Sequence, residues 1–409
     1  MPPALDVDFV RARFPAFSEP SLKDRPFFEN AGGSYACAPV IERLGRYYRQ
    51  NKVQPYAAYP ASMEAGRRMD EARERLAAML NIAPDELVFG PSTTQNVYVL
   101  ACAFRGILRP GDEIIVTNQD HEANTGRWRA LAETGVTVHE WRMDAETGLL
   151  DPAGLDRLLN ARTRLVAFPH CSNIIGHINN AAAIVKRVHD AGALAIVDGV
   201  SYAPHGLPDI AATGADVYLF STYKTFGPHQ GLMAVRRELM EKLPNQGHWF
   251  NASCPDKRLA PAGPDHAQIT ACAGIADYYD ELHEHHFDAK VNAPERARAV
   301  SALFRAHETA LMEPLLDFLS SCDGARLIGP ATAENRAPTL ALDTTRPPRE
   351  IAQDLAELGI MAGAGDFYAV RTLQGLGIDP ERGVLRLSFV HYTAENEIDQ
   401  LIAALETVL

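Results

Sequence analysis

Short apolar runs alternate with amphipathic helical patterns between about residues 60 and 280. Such alternation is typical of a mostly parallel sheet that is covered by helices. Ligands bind at the carboxyl ends of the strands in sheets of this kind, so the loops after the strands are the expected place for chemistry. One amphipathic helix is predicted at 63–80, and strands are predicted at 87–89, 113–117, 164–170, 194–199 and 217–221.

The pattern changes after about residue 285. A long helical stretch at 296–319 is followed by short strand-like pieces at 339–343 and 383–390, and by an amphipathic helix at 395–409. This order predicts a smaller α+β domain. The chain is therefore divided into an N-terminal segment (1–25) that packs with the small domain, a large domain (26–284) and a small C-terminal domain (285–409).

Length and charge narrow the class of protein. The chain has 409 residues, of which 46% are apolar, enough for a large core in more than one domain. Its 52 acidic and 39 basic residues give a net charge of -13, which argues against nonspecific binding to nucleic acid or anionic membranes. Residues 1–17 lack a signal-peptide pattern, and no uncharged apolar run reaches about 18 residues. We expect a cytoplasmic protein with a small-molecule partner.

Cysteines and clustered histidines give no sign of a metal site. The six cysteines are scattered without a CxxC pair, which favours reduced thiols over a disulfide framework or a zinc site. The histidines within 281–286 do not have HExxH spacing, so we interpret this stretch as a polar helix end.

Lys224 and Asp198 follow or end two of the predicted strands. The Lys224 amine can form a Schiff base with an aldehyde cofactor if desolvation or nearby positive charge lowers its pKa. Taken alone, it would more commonly be a surface lysine. A buried Asp198 carboxylate needs a cationic partner, and a protonated pyridine nitrogen is one. Helix capping and metal binding are the alternatives for Asp198.

Small hydroxyl residues follow the strand at 87–89. Ser92, Thr93 and Thr94 open a helical run, where free backbone N–H groups favour a phosphate. Ordinary helix capping explains the segment equally well, and no Gly-Lys-Ser/Thr follows, so it is not a Walker A loop.

Two further strand ends carry candidate residues. His121 can stack its ring on a flat cofactor, and Asn173 can hydrogen-bond a phenolic oxygen, although each is also an ordinary loop residue. Five strand-end signals in one consistent order are harder to dismiss than any one of them.

This order resembles the cofactor-binding set of the class V aminotransferase and cysteine desulfurase family. The family implies an α/β, PLP-dependent transferase fold of type I, with a mostly parallel seven-stranded sheet in the large domain. It implies that pyridoxal 5′-phosphate (PLP) is bound by Thr93 and Thr94 at the phosphate, His121 on the ring face, Asn173 at the ring hydroxyl, Asp198 at the ring nitrogen and Lys224 through the Schiff base. Ser201, Ser221 and Tyr223 are expected to belong to the same site.

Two more segments are similar to the family's substrate site. Arg386, within 385–392, would grip an amino-acid carboxylate through its bidentate guanidinium, with a solvated strand arginine as the alternative. In the N-terminal loop, Ala31 and Gly32 leave space over the substrate. Tyr368 is expected to offer a hydroxyl.

The stretch 359–369 departs from the family in one respect. Cysteine desulfurases place a nucleophilic cysteine shortly before the carboxylate-binding arginine, but this stretch has none, and the nearest preceding cysteine is Cys322. Within it, residues 363–365 lack the third glycine of a dinucleotide fingerprint, so we predict a flexible substrate loop there.

Three other positions also differ from the family pattern. Tyr223 stands where desulfurases usually have His, and Ser201 stands where many members have Gln. Pro264 stands where the family often has a Gly-Thr pair that reaches the partner subunit's phosphate, and proline supplies neither hydroxyl nor N–H. The loop at 244–264 can still cross the interface of the expected homodimer.

These observations predict an enzyme that acts on an amino acid through a Schiff base on Lys224. The reaction is expected to be transamination or β-elimination, as in a C–S or related lyase, without a cysteine persulfide. The freed Lys224 amine would move the α-proton, with His121 and Asp198 beside it. Two alternatives stay open: an amino-acid epimerase or racemase, and a non-catalytic PLP-fold protein with a binding or regulatory role.

Overall fold

The large sheet lies at the centre of the fold. In the computed structural model, which describes residues 3–409, its strand order is β1-β7-β6-β5-β4-β2-β3. Strands β2 to β6 run parallel, and β7 is antiparallel to both β6 and β1. The mostly parallel seven-stranded sheet is therefore confirmed. The strands are β1 (Leu87–Gly90), β2 (Glu113–Thr117), β3 (Thr137–Trp141), β4 (Thr163–Pro169), β5 (Leu194–Asp198), β6 (Val217–Ser221) and β7 (Gly231–Val235).

Helices cover both faces of this sheet and one side of a second sheet. The described α-helices are α1 (Val7–Arg11), α2 (Ala38–Gln50), α3 (Pro60–Met79), α4 (Thr93–Arg105), α5 (Gly126–Ala130), α6 (Pro152–Leu158), α7 (Ala181–Asp190), α8 (Ile210–Thr213), α9 (Arg237–Lys242), α10 (Pro255–Arg258), α11 (His266–His286), α12 (Ala293–Ser320), α13 (Pro348–Glu357), α14 (Val370–Gly375) and α15 (Glu395–Val408). None of the helices among residues 3–409 is long and apolar enough to cross a membrane.

Alternating side chains fix the two faces of the sheet. In β6, Val217 and Leu219 join one apolar cluster, whereas Tyr218 and Phe220 join the other. All four are buried, because a strand points successive side chains to opposite faces and both faces here are covered. The carboxyl ends of β2, β4, β5 and β6 therefore meet at one edge, with polar residues just beyond it.

The second sheet has four antiparallel strands in the order β10-β11-β9-β8. Its apolar face packs with α12, α13 and α15. The strands are β8 (Ala325–Leu327), β9 (Thr339–Thr344), β10 (Gly363–Gly365) and β11 (Val384–Ser388). The prediction of a flexible loop at 363–365 is wrong, because these residues pair with 384–386 as strand β10.

The N-terminal segment contacts the C-terminal part of the chain. Arg11 forms an ion pair with Glu397 at 2.8 Å, and Phe28 lies in the apolar cluster of the second sheet. The backbone N–H of Ser388 donates to the Phe28 carbonyl over 2.8 Å. Residues 27–29 are thus held beside β11, although the three-part division of the chain stays a prediction.

Two strands of the large sheet were missed. Strand β7 follows β6 after nine residues of turn, without a helix between them, and β3 is an edge strand with polar Thr137, His139 and Glu140. The histidines at 281–286 lie in the last turns of α11, as predicted for a polar helix end.

Candidate active site

Two adjoining cavities lie at the carboxyl edge of the large sheet. The inner cavity, about 270 Å³, is bordered by Thr93, Asp198, Ser201 and Ser221, and the outer cavity by the loop at 29–32 and by Arg386 of the second sheet. Thr94, His121, Asn173, Tyr223 and Lys224 border both cavities, while Ala31, Gly32, Tyr368 and Arg386 border the outer one. The structure therefore brings together every site residue that the sequence predicted.

The loop before α4 forms one wall of the inner cavity. The Ser92 hydroxyl caps α4 by accepting the Gln95 N–H at 3.1 Å, and the hydroxyls of Thr93 and Ser221 lie 2.7 Å apart. A Cβ at Gly231 would lie 2.3 Å from the Ser92 carbonyl carbon, so only glycine allows β7 to approach this loop so closely. The free N–H groups at the helix start form a small, rigid site for an anion.

Lys224 lies in the turn after β6 and is buried, with 7% of its surface exposed. Burial lowers the pKa of its amine to about 8, with a further contribution from the positive charge of Arg386. About a tenth of the amine is therefore uncharged at pH 7, and an uncharged amine is the nucleophilic form.

Two buried carboxyl groups, those of Asp198 and Asp120, border the same cavity. Burial raises the pKa of Asp198 to about 6, although the Val200 N–H donates to it at 2.8 Å. Asp120 accepts hydrogen bonds from Thr117 and Asn124, yet burial and the charge of Asp198 raise its pKa well above the usual value. The Asp198 carboxylate accepts one hydrogen bond among the described residues, so a cation entering the inner cavity would find an under-solvated carboxylate.

The ring of His121 is neutral. Its Nδ1 atom accepts the Ala123 N–H at 3.0 Å, and burial, assisted by the charges of Lys224 and Arg386, lowers its pKa to about 3. A neutral ring at this position can stack on a flat, electron-poor heterocycle without charge repulsion.

Asn173 links the two cavities. Its Nδ2 donates to the Phe367 carbonyl at 3.0 Å, and its own carbonyl accepts from Arg386 Nη1 at 3.2 Å. Its side-chain Oδ1 is buried and lacks a partner within residues 3–409. The free polar atom is thus an acceptor, which suits a hydroxyl donor in the cavity.

Arg386 projects from β11 into the outer cavity and is 2% exposed, so the alternative of a solvated strand arginine is wrong. Its Nη2 donates to Glu29 Oε1 at 2.7 Å, and its guanidinium lies 3.7 Å from the centre of the Phe367 ring. Phe367 and Tyr368 both have left-handed backbone conformations, with φ of 51° and 56°. Adjacent strained residues of this kind cluster at functional sites.

Four contributing residues were missed from the sequence. They are Glu29 on Arg386, Phe367 beneath the guanidinium, Asp120 beside Asp198, and His229, whose ring stacks on Tyr223 at 4.7 Å. A carboxylate directly after the apolar pair Phe27-Phe28 was the available signal for Glu29.

The residues present fit PLP. An anion site, a buried amine and a buried carboxylate border one cavity, and the buried Asn173 Oδ1 on the same cavity lacks a hydrogen-bond partner among the described residues. Phosphate, aldehyde and pyridine nitrogen are the groups of PLP that would meet them.

Comparisons with known proteins agree with this geometry. Residues 26–254 and 298–401 match the family described as Aminotransferase class-V. The aminotransferase-like protein FGM3 of Gibberella zeae is 35% identical over 99% of both chains. Among solved structures, the cysteine desulfurase CsdA of Escherichia coli is 25% identical with a TM-score of 0.83, covering 99% of both chains. A mutant of the protein C-DES, with glycine covalently linked to the PLP cofactor, has a TM-score of 0.77 at 19% identity, covering 98% of this chain and 99% of that one.

Proposed function

Because the chain belongs to the class V aminotransferase family and depends on PLP, we propose that it transaminates, or eliminates a β-substituent from, a small or polar amino acid. The observation that carries the proposal is the buried Lys224 amine on the cavity that Asp198 also borders, with its pKa lowered to about 8 by burial and by the charge of Arg386. When bound, PLP supplies an aldehyde that condenses with amines and a ring that withdraws electrons from the α-carbon.

The inner cavity would hold the cofactor. Thr93, Thr94 and the N-terminus of α4 would bind the phosphate, and Asn173 Oδ1 would accept from the ring hydroxyl. Asp198 would keep the ring nitrogen protonated through an ion pair, which also relieves its own buried charge. His121 would cover one face of the ring, while Ser201, Ser221 and Tyr223 complete the wall.

Lys224 would also move the α-proton. Its amine borders both cavities, so it lies where the substrate's α-carbon would meet the cofactor. With a pKa near 8 it can accept a proton and return it within the physiological range.

Substrate orientation would depend on the outer cavity. Arg386 would bind the carboxylate, with its guanidinium held flat by the Phe367 ring and by the Asn173 carbonyl. Gly32 and Ala31 leave room above the site, and Tyr368 can offer its hydroxyl from the rim.

The proposed reaction uses no cysteine persulfide. Of the six cysteines, all described, Cys171 is the one that borders the inner cavity. Burial raises the pKa of its thiol to about 12, and its Sγ atom donates to the Gly176 carbonyl at 3.4 Å. A thiol held protonated in this way is a poor nucleophile.

The proposal includes a homodimer in a reducing compartment such as the cytoplasm. All six cysteines are free, which suits such a compartment. Trp249 and Phe250, in the stretch that was expected to cross a dimer interface, are 85% and 61% exposed, as expected if a second subunit covers them.

A single screen tests the reaction. The PLP-loaded protein is incubated with individual amino acids, with and without 2-oxoglutarate to accept the amino group, and the keto acid formed from each amino acid, ammonia, sulfide and inverted amino acid are measured. Keto acid alone indicates transamination, keto acid with ammonia indicates elimination, and inverted product would support an epimerase instead. Lys224→Ala should abolish turnover, whereas Lys186→Ala, which removes an exposed lysine paired with Asp190, should not. Turnover that survives Lys224→Ala, or no turnover with any amino acid, would contradict the proposal.

A further inference from the structure

Glu29 forms an ion pair with Arg386, the residue proposed to bind the substrate's carboxylate. Its Oε1 lies 2.7 Å from Arg386 Nη2, and the two side chains are 28% and 3% exposed. Arg386 Nη1 is engaged by the Asn173 carbonyl, and Nε is buried without a partner among residues 3–409. Two of the five N–H donors of Arg386 are therefore already used, so a substrate carboxylate must share the guanidinium with Glu29 while Glu29 stays in place.

The chain is shaped to hold the Glu29 carboxylate there. A Cβ at Gly32 would lie 2.6 Å from Glu29 Oε1, and one at Gly363 would lie 2.5 Å from Oε2. Both contacts are closer than a side chain allows, so glycine at both positions makes the space for this carboxylate. The backbone on either side of Glu29 is fixed by Phe28 and Asn30, whose N–H groups donate to Met361 and Ser388.

The pair also changes the charge of the outer cavity. Without Glu29, Arg386 and a protonated Lys224 would present two positive charges to an incoming carboxylate. Glu29 compensates one of them, so the electrostatic attraction for a second carboxylate is smaller. Its own Oε2 is buried and lacks a partner among the described residues.

We propose that Glu29 is a specificity-determining residue, which competes with the substrate's carboxylate for Arg386 and so weakens the binding of simple amino-acid carboxylates. This inference rests on the proposed role of Arg386 in substrate binding. A substrate gains from the site when it displaces Glu29 or offers a hydrogen-bond donor to Oε2. The site therefore favours an amino acid that has a hydrogen-bond donor near its carboxylate over one with a purely apolar side chain.

The test uses propionate, which has a carboxylate but no amine and cannot react with PLP. Its binding is measured by titration calorimetry with the PLP-loaded protein and, separately, with cofactor-free protein. Glu29→Gln keeps the shape of the side chain and removes the charge, and it should bind propionate about tenfold more tightly than the wild type. Glu122→Gln is the matched control, because Glu122 borders the same cavity but contacts Arg371 at 3.5 Å instead of Arg386. Its change should be less than twofold.

A double variant shows whether the effect passes through Arg386. In an Arg386→Lys background, the gain in propionate-binding free energy from Glu29→Gln should fall to less than half of its value in the wild type. Lysine has no guanidinium for Glu29 and propionate to share. An unchanged or lower affinity of Glu29→Gln for propionate overturns the inference, as does an equal rise in affinity in Glu122→Gln. Propionate binding is also measured without PLP, so the role of Glu29 can be judged even if the protein turns over no amino acid.

Discussion

The Thr93 and Ser221 hydroxyls lie 2.7 Å apart and join the first turn of α4 to the end of β6. This contact holds the loop before α4 (residues 90–92, the anion loop) against β6, and Lys224 lies in the turn that follows β6. Gly231, which pairs with Ser221 across β6 and β7, also lies close against the Ser92 backbone.

Gly231→Ala should weaken PLP binding at least tenfold. The added methyl group would push the anion loop off β7, because backbone atoms cannot yield as a flexible side chain can. Gly45→Ala, in α2, is the control, since a Cβ there meets only the flexible end of the Arg49 side chain, at 3.1 Å. Equilibrium dialysis against PLP measures both, and equal affinities in the two variants would show that the loop does not bind the phosphate.

Asp198→Asn should stabilise the cofactor-free protein at pH 8 by about 3 kcal/mol. The folded-state pKa of Asp198, about 6, is above the unfolded value of about 3.9, so the folded protein holds this proton more tightly. Its stability therefore falls as pH rises from about 4 to about 6, and the cost is complete above that range. Asparagine has no charge to desolvate.

Urea unfolding of both proteins at pH 5 and pH 8 measures this difference, which should shrink at pH 5. Asp190→Asn removes an exposed carboxylate and should show neither effect. In the presence of PLP the order should reverse, because the variant cannot pair with the ring nitrogen. A cofactor-free Asp198→Asn protein that is less stable than the wild type at pH 8 would rule out the buried-charge explanation.

Covalent uptake of PLP by the cofactor-free protein should accelerate with pH, with a midpoint near 8. The uncharged amine is the attacking form, and burial together with the charge of Arg386 lowers the Lys224 pKa to that value. Stopped-flow absorbance of the bound cofactor follows the reaction. Arg386→Gln should move the midpoint upward, and a wild-type midpoint above 10 would show that the amine is not desolvated.

Incubation of the PLP-loaded protein with cysteine should leave all six thiols free of persulfide. The Cys171 thiol is protonated by burial, and the stretch 359–369 contains no cysteine. Peptide mass spectrometry measures the modification, with the Escherichia coli cysteine desulfurase as the positive control. A persulfide on Cys171 or Cys322 at each turnover would restore the desulfurase mechanism.

The sequence predicted the strand ends well because their signals are local. Strands β2 and β6 have the predicted bounds, and Asp198 is the last residue of β5. Burial on both faces makes such strands continuous apolar runs, which are visible in a short window. Strand β3 was missed because it lies at the edge of the sheet and has several polar residues, so it does not form an apolar run.

Long-range pairing could not be predicted in the same way. Residues 363–365 look flexible as glycine-rich sequence, yet they pair with β11, and Gly363 makes room for the Glu29 carboxylate. The contact between Glu29 and Arg386 joins residues 357 positions apart, and no periodicity within either segment reveals it.

That separation has a consequence for the order in which the site comes into being during synthesis. Lys224 and Asp198 leave the ribosome long before Arg386, and domains generally fold as they emerge. Glu29 emerges early but gains its partner only when β11 has been made, since the Ser388 N–H and the Arg386 guanidinium both hold residues 28–29. The inner cavity can thus form on a nascent chain, whereas the pair of Glu29 and Arg386, which we propose selects the substrate, forms only after β11 has been made.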